Sequence, residues 1–161
     1  MSQFNPEICE HCGQSLTYLL PIDIGTTDIV KAIYRAVIKK GKNKVHPRKE
    51  MEVSGRDVKY REMVMDGHLT SNQVGNLSRA RFHGLIAAVR GEPGFYLITR
   101  KGANFLQGEE VPKFAIISKT DKKQVGYFGE EKVKISDFIR SKNEEYWEGV
   151  DRSFNFEATL F

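Results

Sequence analysis

The most restrictive feature of this sequence is a pair of β-prone runs closed on a tight turn. Leu85-Ile86-Ala87-Ala88-Val89 and Phe95-Tyr96-Leu97-Ile98-Thr99 flank Arg90-Gly91-Glu92-Pro93-Gly94. Branched and aromatic side chains favour the extended pleat, and a tip rich in glycine and proline reverses the chain, so the segment predicts a β-hairpin. Helical signals bracket it. Upstream, Thr70 is placed to start a helix that turns Val74, Leu77 and Phe82 inward and stops at Gly84. Downstream, Thr99 caps a short helix that ends at Gly108. A strand pair set between helices restricts the chain to an α+β class.

The remaining segments fill in around this unit. Leu16–Pro21 reads as a short strand. A longer helix then begins at Thr26 or Thr27, carries Asp28 in its first turn and stops at Gly41, after Lys39 and Lys40. Ile29, Val30, Ile33 and Val37, with Ala36 beside them, recur at helical spacing and mark its core face. From Lys42 to Gly67 the signals weaken. Ser54-Gly55 suggests a turn, and Val58, Tyr60 and Glu62 alternate as in a strand, whereas a short helix over 61–65 fits as well. A second hairpin sets Phe114–Ser118 against Gln124–Phe128 around Thr120-Asp121-Lys122-Lys123. A strand over 133–135 and a helix from Ser136 follow, and periodicity is lost from Asp151. The organisation expected is an N-terminal segment over 1–25, a main domain over 26–110, an extension over 111–150 and a tail over 151–161.

The order of helix, His83-Gly84-Leu85-Ile86, a hairpin with a Gly/Pro tip, Gly94-Phe95-Tyr96-Leu97-Ile98-Thr99-Arg100-Lys101-Gly102 and then Phe105-Leu106 resembles the winged-helix DNA-binding proteins. The resemblance spans Thr27 to Gly108 and is strongest from Asn76 to Leu106. It implies a winged-helix domain whose helix from Ser71 to Phe82 enters the major groove of double-stranded DNA. Ser71, Asn72, Gln73, Asn76, Arg79 and Arg81 would then face outward. Asn and Gln suit adenine edges, and Arg suits guanine. Arg90 on the wing, with Arg100 and Lys101 behind it, would hold phosphates, and Lys39, Lys40, Lys42, Lys44, Arg48 and Lys49 would widen the basic footprint. One departure stands out: the short second helix of such proteins has no clear counterpart between Gly41 and Leu69.

Charge agrees with a polyanionic partner. The 161 residues carry a formal net charge of +4, with the cations crowded between Lys31 and Lys101. Toward the C-terminus Glu130, Glu131, Glu144, Glu145, Glu148 and Glu157 reverse the balance. A composition 40% hydrophobic and 29% charged excludes a disordered chain. No apolar run is long enough to cross a bilayer, and Met1-Ser2-Gln3-Phe4-Asn5-Pro6 lacks the basic and apolar regions of a signal peptide. A cytoplasmic protein without a membrane partner is expected.

Ile8-Cys9-Glu10-His11-Cys12-Gly13 resembles half of a zinc ribbon. Two thiolates at this spacing can reach one ion, so the resemblance implies a structural zinc in a zinc-knuckle-like segment. His46 is the first choice for a further ligand and His83 the next. His68 or a partner chain are other sources, and two reduced surface thiols are the plain alternative. At the other end, Glu157-Ala158-Thr159-Leu160-Phe161 resembles the short peptides that bind bacterial sliding clamps, with Glu157 where those carry Gln. It implies a protein partner through the tail, against the alternative that the tail covers the core. No nucleophile with a base, paired carboxylates or phosphate-cradling loop stands out, so no enzyme is expected. The expectation is therefore a DNA-binding transcriptional regulator of a prokaryote or phage, with a C-terminal β-hairpin extension for dimerisation or partner contact. Its rival is a protein-interaction module or inhibitor of the same fold, docking on a nucleic-acid-processing enzyme.

Overall fold

Asp23 starts the central helix of this protein. In the computed structural model, which describes residues 3–53 and 60–138 (for 60–62 the backbone alone), α1 spans Ile24–Lys40. The Asp23 carboxylate accepts the Thr26 N–H at 2.8 Å and the Thr26 hydroxyl at 2.9 Å. The expected caps, Thr26 and Thr27, lie inside the first turn and are buried. A carboxylate on an extended residue reaches the third helical N–H, which corrects the start by three residues. The other end is as expected: Gly41, at φ +75°, donates to the Val37 and Ile38 carbonyls. Ile29, Val30, Ile33 and Val37 are all in the core.

After α1 a single wide helical turn, Pro47–Met51, leads into β2 (Glu52–Val53). A short helix, α2 (Tyr60–Met65), occupies the region that read equally as strand or helix. The expectations at Ser54-Gly55 and Val58 lie outside the described residues, as do those for 139–161. β3 (Leu69–Thr70) pairs in parallel with β2, Glu52 opposite Leu69. The chain then forms α3 (Ser71–Gly75), α4 (Leu77–Phe82), β4 (Ile86–Ala88), β5 (Tyr96–Ile98) and α5 (Arg100–Leu106).

The single helix expected from Ser71 to Phe82 is thus two. Gly75 is a poor helix former, and Asn76 sits at φ −105°, ψ 15°, where its N–H bonds the Gln73 carbonyl at 3.0 Å. Val74 and Leu77 still face the core, so the break does not cost the apolar face.

β6 (Val111–Ser118) and β7 (Lys123–Val133) form the second hairpin, longer than its sequence signal. Val133 closes β7, and a tight 3-10 turn over Ile135–Phe138 stands where a strand end and a helix start were expected. β1 (Thr17–Pro21) pairs antiparallel with β6, from Thr17 opposite Ser118 to Pro21 opposite Phe114. The N-terminal segment and the C-terminal extension therefore share one sheet, ordered β1–β6–β7. The molecule is α+β. Its main core gathers Val30, Ile33, Met51, Leu69, Leu85, Ile98 and Phe105 around α1, each side chain worth about 1.5–3 kcal/mol by leaving water. A smaller cluster of Leu20, Ala115 and Ile117, with Phe82 against it, joins the three-stranded sheet to α4. Among the described residues no helix is long and apolar enough to cross a membrane.

Candidate nucleic-acid interface

The β4–β5 hairpin is held by residues far from it in sequence. β4 and β5 pair antiparallel, Ile86 opposite Ile98 and Ala88 opposite Tyr96. Val45 adds to the outer side of β5, exchanging both backbone hydrogen bonds with Tyr96 at 3.0 and 2.8 Å. One residue pair further, the side chain of Asn43 replaces a strand. Its amide nitrogen donates to the Ile98 carbonyl and its oxygen accepts the Ile98 N–H, both at 2.8 Å. The base of the hairpin is fastened by Thr99. Its N–H bonds the Leu85 carbonyl at 3.2 Å, and its hydroxyl donates to the Gly84 carbonyl and accepts the Gly102 N–H.

This frame presents part of the expected contact set and withdraws the rest. Ser71, Asn72 and Asn76 are exposed on α3 and at the α3–α4 break. Gln73 is turned inward, correcting its outward assignment. Its side chain accepts the Thr70 N–H at 2.9 Å while Thr70 accepts the Gln73 N–H at 3.2 Å. This reciprocal capping box was written in the spacing Thr70-x-x-Gln73. Arg79 is exposed but forms a 2.7 Å ion pair with Asp23, so one carboxylate caps α1 and ties α4 to it. Arg81 is half-buried, its guanidinium 4.8 Å from the centre of the Phe82 ring.

The hairpin tip carries Arg90, exposed, between Val89 and Gly91. Gly91 and Gly94 lie at φ +79° and +84°. Behind it, Arg100 is exposed, whereas Lys101 is half-buried and donates to the Tyr127 hydroxyl, with its ammonium 4.5 Å from that ring's centre. Lys101 thus bridges α5 and β7. Much of the wider basic footprint is also engaged. Lys40 pairs with Glu50, Lys44 with Glu92 and Arg48 with Glu52, each at 2.7 Å, and Lys39 donates to the Asp66 carbonyl. Lys40 and Lys44 additionally sit over the Phe95 ring. Lys42 and Lys49 are exposed. Exposed pairs of this kind stabilise by roughly 0–1 kcal/mol and stay exchangeable for other anions.

The two histidines expected as zinc ligands are used elsewhere, a correction to that assignment. His46 caps the Pro47–Met51 turn, its Nδ1 accepting the Lys49 N–H at 3.2 Å, and its ring meets Phe95 edge-on at 5.1 Å. His83 is fully buried after α4. The Leu20 and Pro21 carbonyls lie near its ring, outside hydrogen-bonding geometry. Burial first, and then the Lys101 ammonium, push its pKa down to about 4, against a smaller opposing pull from the Leu20 and Pro21 backbone and from Asp23. A metal cation would be ill placed beside that ammonium.

This depression makes stability pH-dependent. Above pH 6.5 His83 is neutral both folded and unfolded. As the pH falls from 6.5 toward 4, the unfolded chain takes up the proton and the folded chain does not. Stability is therefore expected to fall across this window, by up to about 1.4 kcal/mol per pH unit from this group. Urea titrations at several pH values, with His83→Leu as the comparison, check it. Equal slopes in the two proteins would refute the assignment.

Cys9 and Cys12 occupy a closed N-terminal turn. The Cys9 N–H donates to Gln14 at 2.8 Å, Gly13 donates back to Cys9 at 3.0 Å, and Ile8 bridges Ser15. Hydrogen bonds from the backbone of Cys12 and of His11, and from the Cys12 side chain, hold the Cys9 thiol below its ordinary pKa. Among the described residues no three His, Cys, Asp or Glu side chains gather as a metal cage.

Asn43 and Asp23 are the important residues that sequence reading passed over. Asn43 lies inside a lysine run that drew attention to charge, and its partner is 55 residues away. Asp23 had a usable signal, an acidic residue three positions before Thr26. No family model matches the chain, and no curated protein or solved structure matches it either.

Proposed function

We propose that this chain is a winged-helix DNA-binding protein, in which α3 and α4 approach the major groove and the β4–β5 hairpin is the wing. In this reading α2 takes the part of the short second helix, in a segment whose sequence fits a strand or a short helix equally. The observation that carries the reading is that Ser71, Asn72 and Asn76 are exposed on α3 and at its junction with α4, and Arg90 is exposed at the tip of the hairpin that follows α4, while Asp23 ties α4 to the start of α1 and Asn43, just after α1, holds β5. Short amide side chains on a rigid frame suit base edges, and an arginine at a hairpin tip suits phosphate or the minor groove. The role is that of a transcriptional regulator in a prokaryote or phage, acting on double-stranded DNA.

Binding to mixed duplex DNA, followed by fluorescence anisotropy across a salt series, tests this. Arg90→Ala is expected to weaken binding on all sequences and to lower the salt slope by about one. Asn76→Ala is expected to cost about 1–3 kcal/mol on a selected site and little on random DNA. Arg79→Ala should act chiefly on stability, because Asp23 is its partner. Affinity independent of salt would sink the proposal.

The internal pairing of Lys40, Lys44, Arg48 and Lys101 favours a second reading. Fewer uncommitted cations, together with exposed Tyr18, Val125 and Tyr127 on the three-stranded sheet, suit a protein-interaction module. Absence of any DNA complex at low salt, with a partner captured through that sheet, would select it.

A further inference from the structure

We propose that Cys9 and Cys12 are half of a tetrahedral zinc site, completed by the same two thiolates of a second copy of this chain. The turn has the shape such a half-site needs. Its ends are closed by the Cys9–Gln14 hydrogen bond and by Leu16 donating to Glu7 at 2.7 Å. Gly13 takes φ +71° with open space around its α-carbon, letting the chain fold back after Cys12. Cys12 is exposed and Cys9 partly so, so an ion can be reached from outside the molecule.

Three of the four histidines are engaged elsewhere in the fold. The chain has two cysteines and four histidines, all within the described residues. His46 caps a turn, His68 faces the Met51 carbonyl at 3.3 Å, and His83 is buried beside Lys101. His11 lies within the turn, but it does not gather with the cysteines and neighbouring carboxylates into a group of three. Zinc in a structural site takes four ligands, and two sulfurs leave it half satisfied. A twofold axis through the ion supplies the missing pair with no new residue type, and twofold dimers are the commonest assemblies. Ile8, next to Cys9 and 54% exposed, would gain cover in such a pairing. The inference is independent of the DNA-binding reading.

The test uses the full chain, reduced, loaded with zinc and desalted. Metal analysis, light scattering and zinc-edge X-ray absorption are the readouts. Half an equivalent of zinc per chain, a dimer mass and four sulfur neighbours at about 2.3 Å are expected. A chelator should remove the metal and halve the mass while the circular dichroism stays unchanged. Cys12→Ser should lose both metal and dimer. One zinc per monomer with only two sulfur neighbours would overturn the proposal, as would reduced protein that retains no zinc. Chelation of the unaltered chain keeps the test decisive if the variant does not fold.

Discussion

Gly102→Ala is expected to destabilise the protein by more than about 3 kcal/mol, a large part of what holds a domain of this size together. Helix propensity alone argues for the opposite sign, since alanine exceeds glycine by about 1 kcal/mol in a helix. Packing decides. A Cβ on Gly102 would lie 2.0 Å from the Leu85 carbonyl oxygen, 2.9 Å from its carbon and 3.3 Å from Ile98 Cγ2. The nearest atom is backbone, and that same oxygen accepts the Thr99 N–H. Relief would require α5 to move off β4, which breaks the Thr99 bonds to Gly84 and Gly102 at the base of the hairpin. Gly75→Ala is the matching control, because a Cβ at that position would meet nothing within 4 Å. Denaturant midpoints at unchanged slope should fall sharply for the first and barely move for the second. A Gly102→Ala protein as stable as the parent would refute the close approach of α5 to β4.

Asn43→Ala is expected to cost about 2–4 kcal/mol, because it strands two buried backbone groups at once. Ile98 is 1% exposed, and Asn43 has no measurable exposure, so water cannot replace the lost amide. Asn43→Asp should fare no better. It keeps the acceptor for the Ile98 N–H but sets a carboxylate against the Ile98 carbonyl. Hydrogen exchange at Ile98 should accelerate in either variant before distant core amides do, since the hairpin loosens locally. A loss below about 1 kcal/mol would show that the amide does not substitute for a strand.

These two positions also mark the limit of what the sequence makes readable. The hairpin, the Thr70 and Thr99 caps and the Gly41 and Gly84 stops were legible, because each rests on residues within a few positions of one another. The α3–α4 break was also local, in Gly75-Asn76, but the continuing apolar periodicity of Val74 and Leu77 concealed it. Gln73 was misassigned for a similar reason: a polar side chain near a helix start serves capping and recognition equally in one dimension, and only its inward turn separates them.

The candidate site was less legible than the frame. A sequence shows how many cations exist, not which carboxylates stand opposite them. Arg79 meets Asp23 from 56 residues away, Lys44 meets Glu92 from 48 and Lys101 meets Tyr127 from 26. Each pairing subtracts from the basic surface that composition alone suggested.

By itself, then, the sequence determined an α+β chain with a central amphipathic helix and a hairpin between helices, since propensity, capping and turn chemistry act over one or two turns of chain. Only the tertiary structure decided which polar groups remain uncommitted at the surface: Ser71, Asn72, Asn76 and Arg90 are exposed, whereas Gln73 is turned inward and Arg79 and Lys101 are engaged by Asp23 and Tyr127. It alone joined β1 to β6, set Asn43 in place of a strand and crowded Gly102 against Leu85. Those contacts depend on distances between residues far apart in sequence, which arise only when burial of the common core brings the segments together.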